Sequence, residues 1–462
     1  MSYLKIILRT LAAFLKTFRL ALPKIGVGWM FALLTIDFNR IAIVELGVTA
    51  VLITTMLGLH YFLSPFQVIV GRVADHHPVA GLRRTPYLIL GSIVASLVFL
   101  ALPSVAQAMG TGSLTATVTG FLLLALFGIS IAIMGDSHHS LIAEVTTERA
   151  RGGVISVVWT FTILSTILAA VVMNIVRPEY TPEAMQRLYN LTPFIVIGST
   201  LLGVIGIEKR LRGTELAESV ARAKAITPPG NPLRTAYRLL QEDPQARGFF
   251  FFIFVSIFAI FLQDNILEVF GAEVFGMSVE QTTSFQPTWG GGVLLGMVAM
   301  GLISVIAPIS KKNIALVGCV GTAVGMGTLA MAALTHQVEL VKPALFGMGL
   351  FTGFFNVGSL SMMMDMTVEG ATGLYMGLWG VAQAFGNGSS SIGSGLLHTG
   401  LIENGILAPN AAYFAIFGFE AIGMMVAAAV LVQLSVQRFR EMHSADLTSR
   451  HLMQAMEAGA SA

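Results

Sequence analysis

Gly71-Arg72-Val73-Ala74-Asp75-His76-His77-Pro78-Val79-Ala80-Gly81-Leu82-Arg83-Arg84-Thr85-Pro86-Tyr87 is a short charged connector between two apolar runs, 60–70 before it and 87–105 after it. A loop this brief between runs long enough to cross a bilayer has to turn at the membrane surface. Each of its marked residues has a physical use there. Gly71 permits close helix approach, Asp75 accepts charge-assisted hydrogen bonds, and Gly81 opens the Gly-x-Arg-Arg pattern that follows. Arg83 and Arg84 are donors at the level of anionic headgroups. The plainer alternative is that two arginines only orient the loop.

Working outward, the same alternation of long apolar runs and short polar connectors continues along the chain. Apolar residues make up 55% and charged residues only 11%, a balance that excludes an ordinary soluble domain and fits a polytopic helical membrane protein. At about 20 residues per span, twelve segments qualify, near 22–43, 48–71, 86–107, 114–135, 154–176, 191–208, 247–264, 285–308, 314–334, 343–363, 373–397 and 411–433. The runs are continuous rather than alternating, which argues against a β-barrel. The expected architecture is an all-α membrane protein with twelve transmembrane helices in two six-helix, pseudo-symmetric bundles. A single cysteine, Cys319, excludes an internal disulfide and a cysteine-based metal cluster.

Basic residues orient the chain. With the N-terminus cytoplasmic, nearly all Lys and Arg fall in inside loops, and the opposite loops hold only Arg177, Arg187 and Lys342. By the positive-inside rule both termini are expected in the cytoplasm. Residues 1–24 show no leader-like cleavage site. Lys5, Arg9, Lys16 and Arg19 lie on one helical stripe and Ile7, Leu11, Phe14 and Phe18 on the other, predicting an interfacial amphipathic helix that Pro23 ends. The long polar stretch 209–246, with Pro228, Pro229, Gly230 and Pro232, reads as a cytoplasmic linker between bundles at 25–208 and 247–433. Residues 434–462 form a cytoplasmic tail.

The halves repeat one another weakly. Asp37, Asn39, Arg40 and Glu45 end the first span, as Asp264, Glu268 and Glu273 follow the seventh. Asp136 and Glu148, beside Arg149, are echoed by Asp365 and Glu369, and the pair Lys311-Lys312 stands where Arg83-Arg84 stands in the first half. Charges at membrane depth are costly and therefore functional candidates. The expected network joins Arg40 to Asp264 or Glu268 across the centre, as a structural lock or as a proton or ligand relay. Asp136, Glu148 and Arg149 are expected to support the 71–87 loop on the inner face. No phosphate loop, dinucleotide fingerprint, zinc spacing or nucleophile elbow is present, so the chain is not expected to be an enzyme, nor to bind nucleic acid.

The 71–87 loop resembles that between helices 2 and 3 of the major facilitator superfamily. Longer blocks narrow the likeness. Phe38-Asn39-Arg40-Ile41-Ala42-Ile43-Val44-Glu45-Leu46, Gly81-Leu82-Arg83-Arg84-Thr85-Pro86-Tyr87, the stretch from Gln263 to Ser278, and Gly377-Leu378-Trp379-Gly380-Val381-Ala382-Gln383-Ala384 resemble segments of the PucC/LhaA family, also called the bacteriochlorophyll delivery family. Ala74, Val269 and His76-His77 depart from its usual residues. The resemblance implies a major facilitator fold in a bacterial inner membrane, cytoplasmic or intracytoplasmic photosynthetic. It also implies a role in light-harvesting antenna assembly, by delivering or handling bacteriochlorophyll as bound ligand or cargo. Antenna polypeptides and pigment-synthesis enzymes are the implied partners. In that setting His60, His138, His139 and His398 are candidate magnesium ligands, the central cavity or the lipid-facing surface being the place for a chlorin. Two other readings stay open: a proton-coupled exporter of a small amphiphile, with Asp37, Glu45 or Asp264 titrating, and a ligand-free chaperone for antenna polypeptides.

Overall fold

The computed structural model describes residues 2–63, 73–74, 76–146, 148–226, 238–306, 309–366 and 372–441. Its helices are α1 (Ser2–Ala21), α2 (Pro23–Ala32), α3 (Ala50–Phe62), α4 (Thr85–Gly110), α5 (Leu114–Val145), α6 (Glu148–Val176), α7 (Pro182–Tyr189), α8 (Thr192–Val204) and α9 (Gly213–Ile226) in the first half. The second half contributes α10 (Pro244–Phe261), α11 (Leu267–Phe275), α12 (Val279–Thr282), α13 (Phe285–Ile306), α14 (Lys311–Thr335), α15 (Val341–Asp365), α16 (Thr372–His398) and α17 (Pro409–Gln433). Eight described helical runs are long and apolar enough to cross a membrane. The sole β pairing among the described residues is a bridge between Val79 and Leu82 inside the connector.

Local chemistry sets the ends. Ser113, Thr181, Asp243, Ser278 and Ser310 each accept a backbone N–H of the first turn that follows, which satisfies donors the helix leaves free. Proline opens α2, α7, α10 and α17, where its missing N–H is not needed. At the other ends, cations do the work. Lys16 Nζ donates to the Val145 carbonyl at the end of α5, and Arg19 donates to the Leu202 and Ile205 carbonyls at the end of α8. Lys312 Nζ donates to the carbonyls of Val432 and Leu434 after α17. Cations at helix C-termini meet unpaired carbonyls and the negative end of the dipole.

In the N-terminal helix Leu11, Phe14 and Phe18 of the apolar stripe are exposed, while Lys16 and Arg19 dock the helix onto α5 and α8. Helix then continues from Leu11 to Glu45, because a proline at the start of a helical segment costs no hydrogen bond.

The buried apolar side chains fall into two large clusters. One is drawn from residues 29–196 with Val269, the other from residues 246–439. Within the second, α13 and α15 cross on bare glycine. A Cβ on Gly296 would overlap the Leu350 carbonyl, and one on Gly353 would overlap that of Val293, so backbone meets backbone as in tightly packed membrane helices. Gly292 shares this contact, whereas Gly291 faces open space.

The helices that carry the charges are not regular. Beyond α2 the chain forms two π-helical turns, Leu33–Phe38 and Ile41–Glu45, on either side of Asn39 and Arg40. Its counterpart in the second half breaks between α10 and α11, at Leu262–Ile266. A further π turn, Thr399–Glu403, ends α16. Such interruptions free backbone groups for contacts across the bundle.

Candidate functional site

The charged ends of these interrupted helices gather on the face opposite the linker, here called the far face. Three charge clusters form there, of which that of Asp37 is fully buried. Asp37 is bound by Arg177, just past α6, in an ion pair with side chains only 0% and 1% exposed. Arg177 had been assigned to an outer loop on the strength of its place between two spans. In fact it turns inward, because a carboxylate on the first helix needs a cation at that depth.

Arg40 does not meet Asp264 or Glu268, which overturns the expected lock. Its Nη1 lies 2.6 Å from Glu45 Oε1, and its Nη2 donates to the Met277 carbonyl at 3.2 Å. The π turn explains the near partner, since it brings residue 45 back beside residue 40 on the same helix. Arg40 thus still bridges the halves, through a backbone carbonyl. Asn39 does the same more closely, donating from Nδ2 to the Asn265 carbonyl at 2.7 Å.

Glu273 is held by His398 Nε2 and by the Tyr413 hydroxyl, both at 2.9 Å. His398 Nδ1 faces Glu403 at 3.4 Å. Glu403 in turn accepts the Ala50 N–H at 2.8 Å, while Thr399 accepts that of Val51 at 3.2 Å. Thr49, the residue before α3, makes no side-chain cap. A carboxylate from the second half therefore caps a helix of the first, where the dipole favours it. Glu403 carried no signal that sequence reading used.

Toward the membrane middle the seam continues through Asn265, whose Nδ2 donates to Ser391 Oγ, which donates to the Thr54 carbonyl, each at 2.7 Å. Gly58 packs on Gly388 and Ser391, and Phe62 meets Phe385 edge to face. Five hydrogen bonds between the halves run from this level to the far face. Between them is a cavity lined by Phe31, Thr35, His60, Tyr61, Asp264 and Asn387, among others, with a volume of about 10 Å³, the room of a single water. This cavity is too small for a chlorin. Asp264 Oδ1 accepts from Gln286 at 2.8 Å, and Glu268 is fully buried with neither oxygen hydrogen-bonded.

The candidate histidines divide. His398 is held between two carboxylates, and His138 Nε2 bonds the Leu20 carbonyl at 2.7 Å, so both are engaged in structural contacts. His139 is exposed on α5. His60 bonds the Leu57 carbonyl through Nδ1 at 2.6 Å and keeps Nε2 buried without a partner.

On the linker face, Gly71 and Asp75 lie outside the described residues, as do the side chains of Glu148 and Arg149. Arg83 and Arg84 converge on Glu144, at 3.1 and 2.9 Å. Glu144 lies eight residues beyond Asp136 on α5, and it was not among the candidates. Glu208 accepts the N–H groups of Arg83, Arg84 and Thr85 at 2.5, 3.0 and 2.7 Å, an anion seated on the start of α4. Gly81, at φ +76°, has its carbonyl bonded by the Leu211 N–H, and a Cβ there would strike the Leu211 carbonyl. This loop is where the linker docks. In the second half Lys311 and Arg440 meet Asp365 at 2.7 and 3.1 Å, so the degenerate copy of the loop keeps its ion pair.

Comparison with known proteins matches residues 37–439 to the family described as PUCC protein. The chain belongs to the PUCC protein family. Among its relatives, the "Bacteriochlorophyll synthase 44.5 kDa chain" of Rhodobacter capsulatus is 32% identical over 425 residues, 90% of this chain and 94% of that one. "Protein PucC" of Rhodobacter capsulatus is 25% identical over 434 residues, covering 90% and 91%. Among solved structures, a D-xylose–proton symporter superposes with a TM-score of 0.67 at 15% identity, over 92% of this chain and 99% of that one. The nucleoside transporter NupG gives 0.65 at 16%, over 91% and 100%. These likenesses establish the fold, that of major facilitator transporters. The PUCC chain is a photosynthesis-related, multi-pass membrane protein.

Proposed function

We propose that this PUCC-family protein supports assembly of light-harvesting antenna in a bacterial inner membrane by handling and delivering bacteriochlorophyll. The observation that carries the reading is similarity along nearly the whole chain to a relative named for bacteriochlorophyll. On this reading twelve helices form two six-helix bundles, and the linker face, rich in basic residues, is cytoplasmic with both termini. Two separate apolar clusters support the division. The far-face contacts hold the bundles together there. The chain itself is not an enzyme. In support, the far-face ion pairs serve to join helices and halves. On this reading pigment meets the lipid-facing apolar surface, with antenna polypeptides as partners.

The test is deletion of the gene in a phototrophic host, together with purification of the chain from pigmented membranes. Antenna absorbance is expected to fall while free pigment is still made, and the purified chain is expected to carry pigment. Normal antenna and a pigment-free preparation refute the proposal. Antenna polypeptides without pigment would move it to the chaperone reading, and formation of bacteriochlorophyll by the purified chain would make it an enzyme.

A further inference from the structure

Around the seam, most charged groups have an opposite charge in contact. Asp37 has Arg177, Arg40 has Glu45, and His398 stands between Glu273 and Glu403. Asp264 and Glu268 do not, and neither does Glu420 on α17. Asp264 receives one amide, from Gln286 on α13, and Glu268, four residues on, receives no hydrogen bond at all. The cation whose charge reaches Glu268 is Arg40, and that guanidinium is already held by Glu45 and the Met277 carbonyl. The other ionisable groups on the surrounding elements are His60 and Tyr61 on α3, Glu273 on α11, and Tyr413 and Glu420 on α17. None of these supplies a free positive charge. Ionised together, Asp264 and Glu268 would place two like charges in a low-dielectric interior. Each would pay the penalty of leaving water, with mutual repulsion added.

The cavity between the halves supplies the other part. Asp264 and His60 are both among its lining residues. Because the Leu57 carbonyl can only accept, His60 Nδ1 carries the ring proton and Nε2 is a buried lone pair with no partner. The space has the room of a single water. An acid and a base thus line one water-sized cavity at the seam.

We propose that Asp264, with Glu268 behind it on the same segment, holds an exchangeable proton beside the cavity that Asp264 and His60 line, and that parting of the halves releases it. The segment is built to couple the two events. Asn265, next to Asp264, makes the contacts with Asn39 and with Ser391 that hold the seam shut. Breaking them admits water to Asp264, whose carboxyl then loses its proton to solvent. By linkage, low pH favours the closed seam and high pH the parted one. This goes beyond pigment handling and is independent of the cargo.

The full-length purified protein tests it in two ways. Infrared spectra near neutral pH are expected to show a protonated-carboxyl stretch that shifts on deuteration. It should lose intensity in Asp264→Asn and in Glu268→Gln, beyond whatever Glu420→Gln removes. In a Cys319→Ser background, Asn387→Cys reports on the cavity, with thiol labelling normalised to Leu407→Cys on the exposed far face. Labelling should rise several-fold from acid to alkaline pH and become flat when Asp264→Asn and Glu268→Gln are combined. Both neutral variants are near-isosteric and are expected to fold. Unchanged infrared intensity in both variants overturns the proposal, and so does a labelling profile that the double replacement leaves as it was.

Discussion

Replacing Arg177 with Gln removes the cation from a pair in which neither side chain touches solvent. Asp37 would then be a buried carboxylate with no counter-charge, and breaking such a pair from one side costs about 3–5 kcal/mol. For a unit the size of the first half, 1 kcal/mol corresponds to a shift of about 2–4 °C, so the melting temperature should fall by roughly 6–20 °C. Asp37→Asn alone strands the guanidinium and should also destabilise. The combination Asp37→Asn with Arg177→Gln should recover much of the loss, since two neutral amides can bond each other. Thermal unfolding of the four proteins in one detergent closes the double-mutant cycle. A coupling energy within about 0.5 kcal/mol of zero is the value for independent sites. Finding it would refute the pairing and the inward placement of Arg177 with it.

Three further outcomes are expected. Gly81→Ala puts a Cβ against the Leu211 carbonyl at a left-handed position, costing about 1–3 kcal/mol locally, and should speed proteolysis of the linker at α9. Glu208→Ala removes three charge-assisted bonds at the start of α4. It should lower antenna accumulation while the protein still inserts, and antenna equal to wild type in stably produced protein counts against a role for this docking. Glu403→Ala uncaps α3 across the seam, a loss of about 1 kcal/mol, and should raise labelling of a cysteine placed at Val51 several-fold.

Much of this protein follows from its order of residues. Runs of apolar side chains longer than a bilayer is thick force helices that cross it, because no backbone polar group can be left unpaired in hydrocarbon. The basic residues 83, 84, 311 and 312 fall on one face for reasons of charge alone, and the repeated acids after the first and seventh spans mark that both halves carry buried charge. What the sequence could not supply is which charge meets which. Arg40 was matched to Asp264 and Glu268 because facing helices carried opposite signs, yet a π turn that periodicity does not reveal returns it to Glu45. Arg177, Glu144, Glu208 and Glu403 looked like loop residues, since position between spans says nothing of whether a side chain turns in or out. Pairing of charges depends on distances of a few ångströms between segments up to hundreds of residues apart. Only the packed bundle sets these, and so only there do Asp264, Glu268 and Glu420 stand out as buried carboxylates without a counter-charge, and His60 as a ring with a buried nitrogen left unpartnered.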